Sequence, residues 1–150
     1  MQNAKRIKSV GRIANLREKI GIEMAGTAGI GHTRWATHGK PSETNAHPHT
    51  STDGRFVLVH NGVIENYLEI KNEYLAGDAF NGQTDTEVAV HLIAKRAETE
   101  NFSTLEAFKK ALEIIEGSYA FALMDATEPD VIYVAKNKSP LLIGLGDGYN

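Results

Sequence analysis

The chain has 150 residues, 41% apolar and 23% charged, the balance of an ordinary globular domain, which excludes a disordered tail, a collagen-like repeat and a coiled coil. Lys and Arg number 16 against 19 Asp and Glu, a net charge of -3, so no surplus of positive charge exists to neutralise phosphates or an anionic bilayer, and neither nucleic acid nor membrane is an expected partner. No apolar stretch approaches the ~20 residues of a membrane span, no apolar leader opens the sequence, and the absence of cysteine removes disulfides, thiolate metal sites and any cysteine nucleophile within these residues; a soluble, cytoplasmic protein is expected.

Between Val10 and Ile20 the apolar residues Ile13, Leu16 and Ile20 recur at spacings of three and four, which predicts a short amphipathic helix. The small-residue stretch from Gly21 to Gly29 leads into Ile30–Ala36, which reads as a strand. Thr37–Arg55 holds Gly39, Pro41, Pro48 and Gly54 among other turn residues, a long connection of the kind used for binding or as a mobile lid. Phe56-Val-Leu-Val-His60 is apolar on both faces and reads as a core strand ending at the tight-turn dipeptide Asn61-Gly62.

Two helices follow from their capping boxes, Thr84 with Glu87 and Ser103 with Glu106. Val88, Ala89, Leu92 and Ile93 form the apolar stripe of the first, and Leu105, Phe108, Leu112 and Ile115 that of the second. Tyr119–Met124, Val131–Ala135 and Leu141–Leu145 read as three strands, joined by connections too short for helical crossovers and therefore antiparallel. Apolar strands split around a helical pair predict an α+β sandwich, two stacked sheets with helices outside, in one domain.

Five of the six histidines, His32, His38, His47, His49 and His60, fall within thirty residues beside Arg34, Trp35, Thr37, Asn61 and Gly62. Taken singly, His32 and His49 read as hydrogen-bonding fillers. His38 with His47-Pro-His49 offers imidazoles at loop spacing, but no HExxH or ordered carboxylate accompanies them, and no metal is expected. Arg34 has a planar fork suited to a carboxylate, and Asp85, at a helix start, can hold an ammonium; together they would clamp a free α-amino acid. A surface ion pair and an ordinary helix-dipole partner are the plainer readings of these two residues. Asn61-Gly62 offers a side-chain amide and a backbone N–H, the donor types of an oxyanion hole, or else a plain hairpin turn.

His32-Thr-Arg-Trp-Ala-Thr-His-Gly39, Asn45-Ala-His-Pro-His49, Val59-His-Asn-Gly-Val-Ile-Glu-Asn66 and Thr84-Asp-Thr-Glu87, in this order, resemble the glutaminase domains of the glutamine:fructose-6-phosphate aminotransferase family, class II glutamine amidotransferases. Gly117-Ser-Tyr-Ala120 and Ser139-Pro-Leu141 extend the likeness, and Trp35 with Thr37-His38 sets it apart from purine-pathway and asparagine-forming relatives. The resemblance implies the four-layer αββα sandwich of N-terminal-nucleophile hydrolases, here incomplete at the N-terminus. Residues 1–150 would be a partial glutaminase domain without the sugar-isomerase domains.

It further implies that a leading cysteine attacks the glutamine amide and that ammonia passes to a sugar-phosphate domain, giving glucosamine 6-phosphate. Asn61 and Gly62 would form the oxyanion hole. Arg34, Thr37 and His38 would hold the α-carboxylate and Asp85 the α-amine, Trp35–Ser42 would close over the substrate, and His47 and His60 would support. The resemblance thus implies L-glutamine as ligand, no cofactor and a homo-oligomeric complete enzyme. Without the cysteine, the chain alone is expected to be inactive, and without the leading strand less stable than its parent. The alternative is a non-catalytic amino-acid-binding or assembly module.

Overall fold

The computed structural model describes residues 5–20, 26, 28–34 and 39–146. Helix α1 spans Ile13–Ile20, where the apolar spacing predicts it. It buries no residue, and Ile13 is 66% exposed. The long connection then holds the two-residue strand β1 (His49–Thr50) and the cis peptide His47-Pro48.

The apolar run at Phe56 does form a strand, but β2 continues through Asn61-Gly62 to Ile64 (Phe56–Ile64). The Asn-Gly pair is therefore not a tight turn. Every residue of β2 pairs antiparallel with β3 (Gly117–Asp125), from Phe56 opposite Asp125 to Ile64 opposite Gly117. Gly62 joins this ladder with φ +138°, a conformation glycine alone takes readily, so continuous cross-strand pairing overrides the local turn preference. β4 (Ile132–Asn137) adds to the far side of β3, giving an antiparallel sheet in the order β1-β2-β3-β4.

Alternation along the strands sends Phe56, Leu58, Tyr119, Phe121 and Leu123 to one face, where they share a core with α3 (Asp85–Thr99) and α4 (Thr104–Leu112). Val88, Ala89, Leu92 and Ile93 of α3 are all at most 3% exposed, as their stripe predicts. In α4 the buried face is Thr104, Ala107, Phe108 and Ala111, whereas Leu105 is 45% exposed. A helix the sequence reading does not contain, α2 (Tyr67–Glu73), adds Ile70 to the core. Asn66, just before it, donates from Nδ2 to Ile114 O (2.8 Å) and accepts from Glu116 N (3.0 Å), tying the helix start to the entrance of β3.

Both helix caps form, in different ways. Ser103 and Glu106 make the reciprocal box. Thr84 caps Glu87 N, but the Glu87 carboxylate reaches back to Asn81 N (2.8 Å) and Gly82 N (2.7 Å), pinning the preceding loop rather than its own cap. Ser103→Ala is expected to cost about 1 kcal/mol of stability, read as a lower urea midpoint at unchanged slope.

At the other end of β3, the Asp125 carboxylate is 1% exposed and accepts from Arg55 Nε and Nη2, the Thr104 hydroxyl, and Thr127 N and Oγ1. Burial alone would raise its pKa, but these bonds outweigh it and hold the group at about 2.

Two expected strands, Ile30–Ala36 and Leu141–Leu145, do not appear among the described residues. Residues 30–34 are irregular, and the side chains of His32 and Arg34 reach Asn61 and the carbonyls of Gly39 and Lys40. Residues 141–145 are also irregular, following Lys138 at φ 62° and Pro140, and Leu142 is 95% exposed. The architecture is α+β, and the described residues hold one sheet and the helices packed against it; a second stacked sheet is not among them.

Candidate functional site

The continuation of β2 places Asn61, Gly62 and Val63 on the wall of a cavity of about 260 Å³. The N-terminus of α3 supplies Thr84, Asp85 and Thr86 to the same lining, and His32, Thr33, Arg34, His47 and His60 complete it. At this volume the cavity lies just below the ~300–1,000 Å³ usual for drug-sized ligands, a size for a small metabolite.

Asp85 is 4% exposed. Its Oδ2 accepts from Ile64 N and its Oδ1 from Thr86 N, both at 2.9 Å. The carboxylate thereby joins the end of β2 to the start of α3, and the positive end of the helix dipole favours its charge. Arg34 donates to Gly39 O (3.2 Å) and Lys40 O (3.5 Å), so it holds the loop that follows the segment it sits in. A guanidinium carries five N–H donors, which makes anchoring the loop compatible with gripping a ligand.

His60 is 4% exposed and fully tied: its Nε2–H donates to Ser118 O (3.3 Å) and its Nδ1 accepts from the Thr86 hydroxyl (3.0 Å). Burial lowers its pKa against the opposing pull of Asp85, 3.9 Å away, and of the Ser118 carbonyl. Burial also drives His47 down to about 2, reinforced by the neighbouring His32 and His49. His49 falls to about 3, again through burial and then the nearby Lys8 charge. Apart from its histidines, the charged side chains lining the cavity among the described residues are one cation, Arg34, and one anion, Asp85. That is the complement of a zwitterion rather than of a simple anion or cation.

The structure therefore brings Arg34, Asn61, Gly62, Asp85, His47 and His60 to one cavity. Trp35, Thr37 and His38 lie outside the described residues. His49 is not on the cavity wall; its Nε2 accepts from the Thr84 hydroxyl (3.0 Å). His32, read as a filler, does line the cavity, and its Nε2 lies 2.8 Å from Asn61 Oδ1. Membership of the histidine cluster was the available signal; the partner, 29 residues away, was not readable. No group of three or more His, Cys, Asp or Glu that could hold a metal exists among the described residues, and none of their helices is long and apolar enough to cross a membrane.

Residues 32–148 match the family model described as a glutamine amidotransferase domain. The chain is 77% identical over 147 residues to glutamine-fructose-6-phosphate aminotransferase (isomerizing) of Lactococcus lactis subsp. lactis, covering 98% of this chain. It is 70% identical over 149 residues to the enzyme of that name from Streptococcus mutans, covering 99% of this chain. In both cases the match spans 24% of the relative, so the chain corresponds to about a quarter of these proteins. Among solved structures, the glutamine phosphoribosylpyrophosphate amidotransferase of B. subtilis superposes with a TM-score of 0.51 at 31% identity, over 63% of this chain and 20% of that one. The fold is thus shared with a second kind of amidotransferase.

Proposed function

Because the chain belongs to the glutamine amidotransferase domain family, we propose that its cavity binds L-glutamine and forms the substrate shell of a glutaminase unit. The observation that carries this reading is the single cavity lined by Arg34, Asp85, Asn61 and Gly62. Arg34 takes the α-carboxylate through charge-assisted bonds, and Asp85 takes the α-ammonium. The side-chain amide is thereby directed toward Asn61 and Gly62, whose N–H groups meet the negative charge that develops on the amide oxygen during attack. His60 and His47, kept neutral by burial, support the wall without adding a charge that would compete for either end of the ligand. Trp35, Thr37 and His38 are assigned by resemblance to closure over the substrate and to the carboxylate.

The 150 residues hold no cysteine, so a thiolate nucleophile is not among them, and this chain by itself is proposed to bind without turning over. In the complete protein, the amide nitrogen released here passes to fructose 6-phosphate in a separate sugar-isomerising part, giving glucosamine 6-phosphate. This reading adopts the activity named for the relatives and places a homo-oligomeric complete enzyme in the cytoplasm.

Isothermal titration of the chain with L-glutamine is the test. Arg34→Met is expected to weaken binding roughly 10- to 100-fold, the loss of one charged hydrogen-bonded contact. 4-Carbamoylbutanoate, which lacks the α-amine, is expected to bind correspondingly worse than L-glutamine. Unchanged affinity in both comparisons overturns the clamp.

A further inference from the structure

We infer that His32 is a positioning residue that fixes the polarity of the Asn61 amide, holding its oxygen back so that its NH₂ faces the cavity. The inference rests on the glutamine reading for its purpose but not for its geometry. An asparagine side chain ends in a torsion with two nearly equivalent settings, about 180° apart, that exchange oxygen and nitrogen. Only one of them turns a donor toward a developing oxyanion. The other presents an oxygen lone pair to it.

His32 Nε2 lies 2.8 Å from Asn61 Oδ1. The amide oxygen is an acceptor only, so Nε2 must carry the hydrogen. The other ring nitrogen, Nδ1, is buried with no hydrogen-bond partner, and a second proton there would be left without an acceptor. This geometry calls for the ring hydrogen on Nε2. The ring is held in place by a stack of imidazoles: His32 lies against His47 with centroids 4.1 Å apart and planes at 30°, and His47 meets His49 edge-on at 5.0 Å and 79°. His49 in turn accepts from Thr84, the cap of α3. Three rings, two of them on the cavity wall and His49 behind it, thus link the amide of β2 to the helix start that carries Asp85. None of them is needed to contact the substrate for this role.

The experiment uses the chain labelled with ¹⁵N at histidine and asparagine. Long-range ¹H–¹⁵N spectra are expected to show His32 with a protonated Nε2 and an unprotonated Nδ1, and the Asn61 side-chain NH₂ with restricted motion. His32→Ala should release that NH₂ to fast motion. His32→Gln, whose terminal amide can donate from a similar position, should restore the restriction; a residue needed only to fill space would not be replaced in this way. A protonated Nδ1 on His32, or Asn61 dynamics unchanged in His32→Ala, overturns the inference. Failure of the unaltered chain to bind L-glutamine would instead overturn the ligand reading, with the tautomer result still deciding this one.

Discussion

Gly62→Ala is expected to prevent stable folding, with a loss upward of about 3 kcal/mol. A Cβ at this position would sit 2.0 Å from Ser118 O and 2.6 Å from Ser118 C, and main chain in the centre of a sheet has nowhere to go. The φ of +138° adds strain of about 1–3 kcal/mol for any residue with a side chain. Gly54→Ala is the matched control: its φ is also positive, at +74°, but nothing lies within 4 Å of the added carbon. It should cost only about 1–2 kcal/mol. Urea denaturation of both variants checks the contrast, and similar midpoints for the two would show that Ser118 does not crowd position 62. The same glycine lines the cavity, so the variant should also lose ligand affinity in whatever fraction remains folded.

Acidification is expected to destabilise the protein well before its carboxylates titrate. His47 and His49 are held neutral, with pKa values of about 2 and 3, by burial and then by nearby charges, and His60 and His91 shift in the same direction, chiefly through burial. In the unfolded chain each returns to about 6.5. Below that value the unfolded state takes up protons that the folded state refuses, so stability is full above about pH 6.5 and falls as pH drops toward 3. At pH 5, each of His47 and His49 contributes a loss of about 2 kcal/mol by this linkage, an order-of-magnitude figure. For a chain of this size the pair corresponds to a drop in Tm of roughly 10 °C between pH 7.5 and pH 5. Calorimetry across that range measures it. A flat or rising Tm would mean that these rings are open to solvent.

The sequence shows the elements whose cause is local. The caps at Thr84 and Ser103, the stripe of α3 and the apolar run at Phe56 each carry their own reason to fold and appear where they are read. Asn61-Gly62 misleads because its turn preference is local, whereas its actual partners, Ala120 and Tyr119, are nearly sixty residues away. The segments 30–34 and 141–145 have strand-like composition but no strand partner among the described residues. α2 escapes because a seven-residue helix with one buried side chain leaves almost no periodic trace. For the site, residue types named Arg34, Asp85, Asn61 and Gly62, but only the fold could show that they face one cavity. The polar bookkeeping of Asp85, Glu87 and His32 depends on main-chain and amide partners that spacing does not reveal.

The carboxylate of Asp85 has both oxygens engaged by the main chain of two different elements, and so has no alternative rotamer to explore without breaking those bonds. Arg34 holds on to the loop at Gly39 and Lys40. On the proposed glutamine reading, the acidic end of the clamp is therefore a fixed jaw. On that same reading, Asp85 sets the point from which ligand length would be gauged.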